Sequence, residues 1–391
     1  MNGGRLALRL LFAVAGVLLT ACAPLKPAQP AAPTPSPVQQ ADGIRMRSMA
    51  PDESCPPEFS GGCYPVWYGT NRKPLDASDP SKGFGSEIDD ALHFGKRIVR
   101  IPAAHRRGEL GSPLWKRLLT GVDDRIVLAS STELTPEAFS REVRGFLAGL
   151  DPSDRNVLVY IHGFNTTFDE ATLRAAQLGF DLRVPGITAL YSWPSRGNVA
   201  AYLTDVATME ASEERLAEFL VRVTALADKG KVHIIAHSMG NRGLLRAMHR
   251  ATTQASLRAG TRFGRIFLAA PDVDVALFRQ LAGVYPQVSE RTTLYVADQD
   301  KAFEALAWVA QGMRAGGAPP VLVMPGIDTV HVRGGSLFDL GHSYVAEELE
   351  VLRDIRAQLY WNESPERRRA RYGWPVPDDT PGARGAWLIG R

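Results

Sequence analysis

The stretch VHIIAHSMGNRG, residues 232–243, is the most informative segment for the fold of this chain. Four apolar or β-branched residues lead into a histidine and a single serine, and an amphipathic pattern resumes after Gly240. A short, continuous apolar run is typical of a strand that is covered on both faces. The pattern therefore predicts a buried strand that passes directly into a helix, with Ser238 at the turn.

Similar apolar runs recur along the chain and alternate with helical patterns. The runs are NVLVYIHGF, ITALYSW, RIFLAAP, RTTLYVAD and DTVHV. Helices are expected near residues 136–149, 169–180, 209–227, 275–283, 301–313 and 343–358, and another is expected to begin at Met239. Such alternation predicts an α/β fold with a mostly parallel sheet and helices on both faces. Three earlier β-rich runs (YPVWYGTNR, HFGKRIVRIP and DRIVLASS) have no helix between them, which predicts antiparallel strands at the N-terminal end.

The turn around Ser238 has the residue pattern of a nucleophile elbow. Small residues stand two positions before and two positions after the serine, as Ala236 and Gly240. This spacing allows a sharp strand-to-helix turn that lifts the serine hydroxyl clear of the sheet. Ala236 departs from the glycine that is usual at this position, and its single methyl is a mild departure. Ser238 is the predicted nucleophile.

A serine hydroxyl needs a base, and a base needs an acid that orients it. Folds with this elbow place the acid and then the histidine after the serine. His342 follows the last predicted strand in a loop, and we predict it as the base. His331, inside the DTVHV strand, is the alternative, and His249 is expected to face solvent on the helix after the elbow.

The predicted acid is Asp300, which follows the penultimate strand. It stands three residues after Ala297, a spacing found in many hydrolases of this kind. Asp298 is expected to cap the same turn. Asp272 and Asp274, which follow the preceding strand, remain alternatives for the acid.

An oxyanion hole needs two backbone N–H groups that face the charge formed on the substrate. The N–H of Met239, at the start of the helix after the elbow, is one predicted donor. The second is the N–H of Phe164, in the His-Gly-x turn after NVLVYI, where Gly163 permits unusual backbone geometry. His162 belongs to the same turn and is expected to be structural.

Seven ordered segments carry a resemblance to a known family. They are YGTNR (68–72), VYIHGFN (159–165), YSWPS (191–195), HSMGNR (237–242), AAPDVD (269–274), Y…D…D-K-A (295–302) and GHSY (341–344). Over residues 64–358 the chain resembles the α/β-hydrolase superfamily, and more narrowly a bacterial esterase/lipase-like branch of unassigned function. The resemblance implies the α/β-hydrolase fold and the triad Ser238, Asp300 and His342, and it implies no particular substrate.

The expected activity is cleavage of small-molecule or lipid carboxylic esters through an acyl-enzyme. Amide, thioester or peptide cleavage and acyl transfer on the same triad remain open, because pocket shape decides the leaving group. A catalytically inert binding or scaffolding lipoprotein is the alternative from another class. We expect no metal and no cofactor, since the sequence shows no Cys/His ligand cluster, no His-Glu-x-x-His and no Gly-rich phosphate loop.

The N-terminal segment has the features of a bacterial lipoprotein signal. Arg5 and Arg9 precede an apolar run over residues 10–19, and LTAC (19–22) resembles a lipobox. Residues 1–21 are therefore predicted to be removed and Cys22 to be lipidated. Ala23 predicts sorting of the anchored protein to the outer membrane, facing the periplasm.

Three further segments are predicted around that signal. The Pro/Ala-rich residues 22–50 are expected to form a flexible tether, and residues 51–363 the hydrolase domain. Residues 364–391 are expected to be an irregular tail. Cys55 and Cys63, an even pair in an exported chain, are predicted to form a disulfide.

Charge and composition exclude some classes of partner. With 45 Lys+Arg against 42 Asp+Glu, the net charge is +3, which argues against nucleic-acid binding. The 391 residues, 45% of them hydrophobic, are enough for a sizeable core. The arginine-rich stretch over residues 367–371 is expected to be a solvated helix end.

Overall fold

The structure, a computed structural model, describes residues 61–112, 114–228, 230–253, 262–298, 312–334 and 345–390. The predicted signal peptide and tether lie outside these ranges, as do Cys22, Cys55, Asp300 and His342. Cys63, at the start of the first described strand, is disulfide-bonded. Its pairing with Cys55 stays a prediction.

The N-terminal strands are antiparallel, as predicted. They are β1 (Gly61–Pro74), β2 (Phe84–Pro102) and β3 (Val127–Leu134). β1 pairs antiparallel with β2, and β2 pairs antiparallel with β3. β1 also pairs parallel with a later strand, Gly186–Ser192, so this hairpin region continues the main sheet.

The apolar runs form the predicted parallel strands. They are β4 (Asn156–Ile161), β5 (Gly186–Ser192), β6 (Val232–His237), β7 (Phe263–Ala269), β8 (Ser289–Asp298) and β10 (Asp328–Val332), with the two-residue β9 (Gly317–Ala318) beside β8. The order across the sheet is β10-β8-β7-β6-β4-β5-β1-β2-β3. β6, the strand that leads to Ser238, therefore lies near the centre of the sheet.

Helices cover both faces of the sheet. They are α1 (Leu114–Thr120), α2 (Pro136–Ala148), α3 (Phe168–Leu182), α4 (Tyr202–Ala211), α5 (Glu213–Leu226), α6 (Gly240–Thr253), α7 (Val275–Leu281), α8 (Tyr285–Val288), α9 (Val345–Trp361) and α10 (Pro365–Tyr372). α2, α5 and α6 belong to one core cluster, and α3 and α9 belong to a second cluster on the other face. This arrangement confirms the predicted α/β fold.

Local sequence signals explain where two of these helices begin. Thr135 caps α2 by accepting a hydrogen bond from the Ala138 N–H, and Pro136 occupies the first turn. The helix predicted near 209–227 is two helices, α4 and α5, which meet at Ser212. Ser212 is buried there and accepts hydrogen bonds from Asn71 and Tyr191, which fixes the break.

The prediction of an irregular tail is wrong for much of residues 364–391. Residues 365–372 form α10, and two short strands follow, β11 (Val376–Pro377) and β12 (Trp387–Ile389). β12 pairs parallel with β10 and extends the sheet by another strand. The segment is therefore part of the folded domain.

The arginine-rich stretch is also more than a solvated helix end. Arg368 is fully buried, and its Nε lies 2.7 Å from the carboxylate of Asp354 on α9. Arg368 also donates to the carbonyl of Glu363. A buried ion pair needs such additional hydrogen bonds to offset desolvation. The pair joins α10 to α9, an effect that charge composition alone does not reveal.

Candidate active site

Ser238 stands in a strained turn between β6 and α6. Its φ is +47°, the left-handed region that a non-glycine residue rarely adopts. Its N–H donates to the Ala269 carbonyl at 2.9 Å, which holds the turn against the end of β7. A Cβ on Gly240 would lie 2.5 Å from the His162 carbonyl oxygen, so glycine is required there. The sharp turn that the sequence predicts is present, and the methyl of Ala236 is fully buried beside it.

Asn241 holds this turn from inside the helix. Its side-chain amide donates to the carbonyls of Ala236 and Ser238 at 2.9 and 3.2 Å. The backbone N–H of Asp272 also donates to the Ser238 carbonyl, at 3.1 Å. Hydrogen bonds from both sides thus hold the backbone of the predicted nucleophile in its strained conformation.

The turn that follows β4 lies directly against Ser238. A Cβ added to Gly163 would lie 3.0 Å from Ser238 Cβ and 2.9 Å from His237 Nδ1. Among the described residues, the N–H groups of Phe164 and Met239 have no hydrogen-bond acceptor. Two backbone donors near one serine are what an oxyanion hole needs.

His162 lies beneath this turn and is held neutral. Burial lowers its pKa well below 6.5, and the Arg72 guanidinium lowers it further. The protonated Nδ1 donates to the Gly163 carbonyl at 2.8 Å, and Nε2 accepts from the Ser192 hydroxyl at 3.1 Å. The indole of Trp193 stacks on the imidazole and donates to the His162 carbonyl at 2.9 Å. The structural role predicted for His162 agrees with these contacts.

Arg72, at the end of YGTNR, is fully buried under the same turn. Its guanidinium donates to the Thr166 carbonyl at 2.8 Å, to the Ser195 carbonyl at 3.0 Å and to the Ser192 hydroxyl at 2.9 Å. Burial lowers its pKa to about 9, and the charge of Asp205 partly offsets that shift. Arg72 is therefore charged at neutral pH, and it joins the His162 turn to the end of β5.

Ser195 and Asp205 complete this network, and residue-by-residue reasoning on the sequence missed both. The Ser195 hydroxyl accepts from the Thr166 N–H at 3.1 Å and donates to Asp205 at 2.7 Å. Asp205 also accepts from the Arg196 N–H. One sequence feature could have predicted this network. The segments YGTNR, VYIHGFN and YSWPS occur together in the chain, and the structure brings them together around one turn.

Trp193 belongs to the YSWPS segment and lies beside this network. The side chain is fully buried, stacked on His162 and within the larger core cluster. Its role is therefore core packing beneath the turn that follows β4.

Asp272 and Asp274, the alternative acids, are occupied by other partners. Asp274 caps α7 by accepting from the N–H groups of Ala276 and Leu277. Asp272 is buried and accepts from the Tyr202 hydroxyl at 2.8 Å. Arg314 Nε lies 3.1 Å from its other oxygen but is not aligned for a hydrogen bond, so that contact is ionic.

Tyr202, which binds Asp272, lies beside the turn that follows β4. The Tyr202 ring packs edge-on against Phe164 at 5.3 Å. Burial, followed by the adjacent Asp272 charge, raises the pKa of Tyr202 to about 12, so its hydroxyl stays protonated and donates. Asp272 therefore holds the Tyr202 ring against Phe164.

His331 and Asp298 are bound to each other. His331 Nε2 lies 2.8 Å from Asp298 Oδ1, and its Nδ1 lies 2.8 Å from Asp378 Oδ2. Asp298 Oδ2 also accepts from the Gly334 N–H at 3.0 Å. Asp298 thus joins the end of β8 to the end of β10. Both nitrogens of His331, the alternative base, are used in this network.

The predicted site residues fall into two groups. Ser238, Met239 and Phe164 lie around one turn, whereas Asp300 and His342 lie outside the described residues. His249 is exposed on α6, as expected. Asp298 ends β8, and β10 ends shortly before Gly334. The segments that carry Asp300 and His342 therefore both begin at the edge of the sheet where β6 leads into Ser238.

A mostly parallel sheet with helices on both faces, and a strained serine between its central strand and a helix, defines the class of α/β hydrolases. The chain belongs to the family described as alpha/beta hydrolase of unknown function (DUF900), whose profile matches residues 138–358. The match covers more than half of the chain and includes β4, β6, β8 and β10.

A comparison with curated proteins finds no match to this chain. Within the residues that the structure describes, no helix combines the length and the apolar character needed to cross a membrane.

Proposed function

We propose that this chain is a serine hydrolase that cleaves carboxylic esters through an acyl-enzyme on Ser238. The observation that carries the proposal is the strained Ser238 turn, packed against Gly163 and near the N–H groups of Phe164 and Met239. Strain at a non-glycine residue is maintained when the surrounding structure holds it and the conformation serves a function. Membership of an α/β-hydrolase family supports hydrolase activity in general.

In the proposed mechanism, Ser238 Oγ attacks the ester carbonyl carbon while the imidazole of His342 takes the hydroxyl proton. Asp300 orients the imidazole and stabilises its positive charge. The N–H groups of Phe164 and Met239 stabilise the negative charge on the carbonyl oxygen. The C–O bond to the alcohol then breaks, and His342 returns the proton to the departing oxygen. Water, activated by the same histidine, releases the acid and restores Ser238.

Asp300 is favoured as the acid because the alternatives have other partners. Asp274 caps a helix, Asp272 binds Tyr202, and Asp298 binds His331 and the Gly334 N–H. A carboxylate already engaged in this way is poorly placed to accept a hydrogen bond from a catalytic imidazole.

The proposal is tested by hydrolysis of p-nitrophenyl acetate and butyrate by the full chain. Ser238→Ala is expected to reduce kcat by about 10³-fold or more, because the nucleophile is lost. Ser153→Ala, at an exposed serine in the loop before β4, is the matched control and should retain full activity. A folded wild-type protein without activity would favour the scaffolding alternative.

Two further variants separate the roles of acid and base. His342→Ala should lower kcat by a similar factor to Ser238→Ala, and Asp300→Asn by somewhat less. If Asp272→Asn abolished activity while Asp300→Asn did not, the acid would have been assigned to the wrong strand. Comparison of ester, thioester and amide substrates of one acyl group would distinguish the remaining reactions on the same serine.

We also propose that Cys22 carries the lipid that anchors this hydrolase in the cell envelope. The support is the sequence pattern around LTAC, with its positive and apolar segments. Cells that express the chain with a labelled fatty acid should yield labelled protein, and Cys22→Ser should remove the label. Unchanged labelling of Cys22→Ser would contradict this proposal.

A further inference from the structure

Two arginines share one carboxylate oxygen near the turn of Ser238. Arg242 stands in the first turn of α6, and Arg314 lies in the segment that precedes β9. Arg314 Nε lies 3.1 Å from Asp272 Oδ1, and Arg242 Nη2 lies 3.7 Å from the same oxygen. We call these two guanidinium groups the diarginine site. One carboxylate group therefore holds both cations of the site.

The backbone around Asp272 places the diarginine site next to the predicted nucleophile. The Asp272 N–H donates to the Ser238 carbonyl at 3.1 Å. The segment of Arg314 lies along the same stretch of chain, because the Ala315 N–H donates to the Val273 carbonyl at 2.8 Å. A ligand group on the diarginine site would therefore lie close to the turn that carries the reacting serine.

Tyr202 connects the diarginine site to the turn that follows β4. Its hydroxyl donates to Asp272 Oδ2 at 2.8 Å, and its ring packs edge-on against Phe164 at 5.3 Å. Burial and then the Asp272 charge raise the pKa of Tyr202 to about 12, and the charges of both arginines act in the opposite direction. Both guanidinium groups are therefore close enough to the Tyr202 hydroxyl to affect its protonation.

The diarginine site has more hydrogen-bond donors than Asp272 can satisfy. Each guanidinium group has several N–H donors in one plane. The Asp272 Oδ1 atom and the Nε atoms of both arginines are buried, and none of the three has a hydrogen-bond partner among the described residues. The side chains of Arg242 and Arg314 are 15% and 14% exposed, so a ligand can still reach them.

Neutralisation of Asp272 alone does not explain two arginines. One aligned guanidinium group would bind both oxygens of a carboxylate, whereas here two of them lie at one oxygen without a hydrogen bond. A mostly buried donor that lacks a partner is costly. A second anionic group, supplied by a ligand, would give these donors an acceptor.

We propose that the diarginine site binds a carboxylate group of the substrate, so that this hydrolase prefers esters that carry a negative charge. The inference rests on the proposed ester hydrolysis on Ser238. Guanidinium groups bind carboxylates with defined, often bidentate geometry. A neutral ester would cover the same donors without pairing them, which is the basis of discrimination. The charge can stand on the acid part or on the alcohol part of the ester.

The test compares charged and neutral esters of similar size, with the full chain. For the acid part, the matched substrates are the mono-p-nitrophenyl ester of adipate and p-nitrophenyl hexanoate. For the alcohol part, they are 4-acetoxybenzoate and its methyl ester. The rate measured with Ser238→Ala is subtracted in every case. We expect kcat/KM to be about 10-fold or more higher for the charged ester in at least one match, which identifies the part that carries the charge.

Variants of the diarginine site should reduce this preference. Arg314→Gln and Arg242→Gln should each lower the ratio of charged to neutral kcat/KM by about 10-fold or more, because charged donors are lost. Arg314→Lys keeps the charge and should retain part of the preference. Arg144→Gln, at an exposed position of α2, is the matched control and should keep the wild-type ratio. The ratio compares two substrates on one protein sample, so a smaller folded fraction does not change it.

Two kinds of failure can be distinguished. Equal kcat/KM for charged and neutral esters, or the same preference in wild type and both glutamine variants, would overturn the carboxylate site alone. If folded wild-type protein hydrolysed none of the four esters, the proposed function on which this inference rests would be wrong.

Discussion

Two buried histidines lie on opposite sides of β6 in opposite electrostatic surroundings. His162, beside Arg72, has its pKa lowered well below 6.5, first by burial and then by the nearby cation. His331 has a carboxylate oxygen 2.8 Å from each of its ring nitrogens. The ring of His331 therefore lies between two carboxylates, one on Asp298 and one on Asp378.

The comparison shows that the neighbours of a buried histidine decide which hydrogen bonds its ring makes. Burial alone would raise the pKa of Asp378, but hydrogen bonds from Thr380 and His331 outweigh it and hold that pKa below its usual value. Asp378 is therefore ionised beside His331. On the other side of β6, a neutral His162 accepts from Ser192 and donates to the Gly163 carbonyl in the turn that follows β4. Each histidine stabilises the start of a segment that carries candidate catalytic groups.

The largest expected effect comes from removing His331. His331→Leu leaves the carboxylate of Asp378, whose side chain is 0% exposed, without the ring nitrogen that now lies 2.8 Å from it. Loss of one partner from a buried pair costs roughly 3–5 kcal/mol in the free energy of unfolding. Urea denaturation at neutral pH measures the change. His249→Leu, at an exposed position of α6, is the control and should change stability little. Equal stability of His331→Leu and wild type would show that His331 does not stabilise the buried Asp378.

A second test changes the turn that the neutral His162 supports. Gly163→Ala places a methyl 2.9 Å from His237 Nδ1 and 3.0 Å from Ser238 Cβ, so the turn must move. We expect kcat for p-nitrophenyl butyrate to fall by about 10²–10³-fold, the cost of one oxyanion donor. Gly145→Ala, in open space on α2, is the control. Full activity of Gly163→Ala would argue that this turn does not hold the oxyanion.

Arg72→Lys tests whether the fixed guanidinium geometry positions the same turn. Lysine keeps the charge but cannot donate at once to Thr166, Ser195 and Ser192. We expect kcat to fall by up to about 10²-fold, because displacement of a catalytic group by about 1 Å can have such a cost. KM should change little. A rise in KM at unchanged kcat would instead assign Arg72 to substrate binding.

The smallest expected effect concerns a third buried histidine. Burial lowers the pKa of His233 to about 3, with a further contribution from Arg265 and Lys231. The unfolded chain takes up a proton below about pH 6.5 while the folded chain does not, so stability is lost as pH falls. The loss is about 1.4 kcal/mol per pH unit, or about 2 kcal/mol between pH 7 and pH 5.

His233→Asn isolates this contribution. Asparagine can still accept the Arg265 N–H that now binds His233 Nδ1 at 3.1 Å, and it does not titrate. Urea denaturation from pH 7 to pH 5 should therefore show a shallower pH dependence than in wild type, whereas the exposed control His249→Asn should keep the wild-type dependence. If the free energy of unfolding of His233→Asn depended on pH as that of wild type does, the burial of His233 would not contribute to the pH dependence of stability.

The sequence was sufficient for the sheet and for the turn at Ser238. Continuous apolar runs identify β4, β6, β7 and β8, because a strand buried on both faces leaves no room for polar alternation. Five residues around Ser238 predict the elbow, because only small side chains fit where Gly240 meets the His162 carbonyl.

Contacts between distant polar residues could not be predicted in the same way. His331 and Asp378 are 47 residues apart, and Asp378 lies in a segment whose composition indicates irregular structure. The sequence alone predicts that Arg368 is a surface charge, whereas in the fold α9 places Asp354 beside it. The sequence alone gives Arg72 no role beyond its place in YGTNR. In the fold, Arg72 binds both the turn at His162 and the end of β5. Hydrophobic periodicity carries no information on such pairings.

The most direct test of the account is to locate the reactive serine in the folded protein. The full chain is treated with a serine-directed fluorophosphonate, and intact mass and peptide mapping then identify the modified residue. The account predicts one adduct, on Ser238, that forms only in folded protein and is lost in Ser238→Ala. A folded, unmodified chain, or an adduct on another serine, would contradict the assignment of Ser238 as the nucleophile.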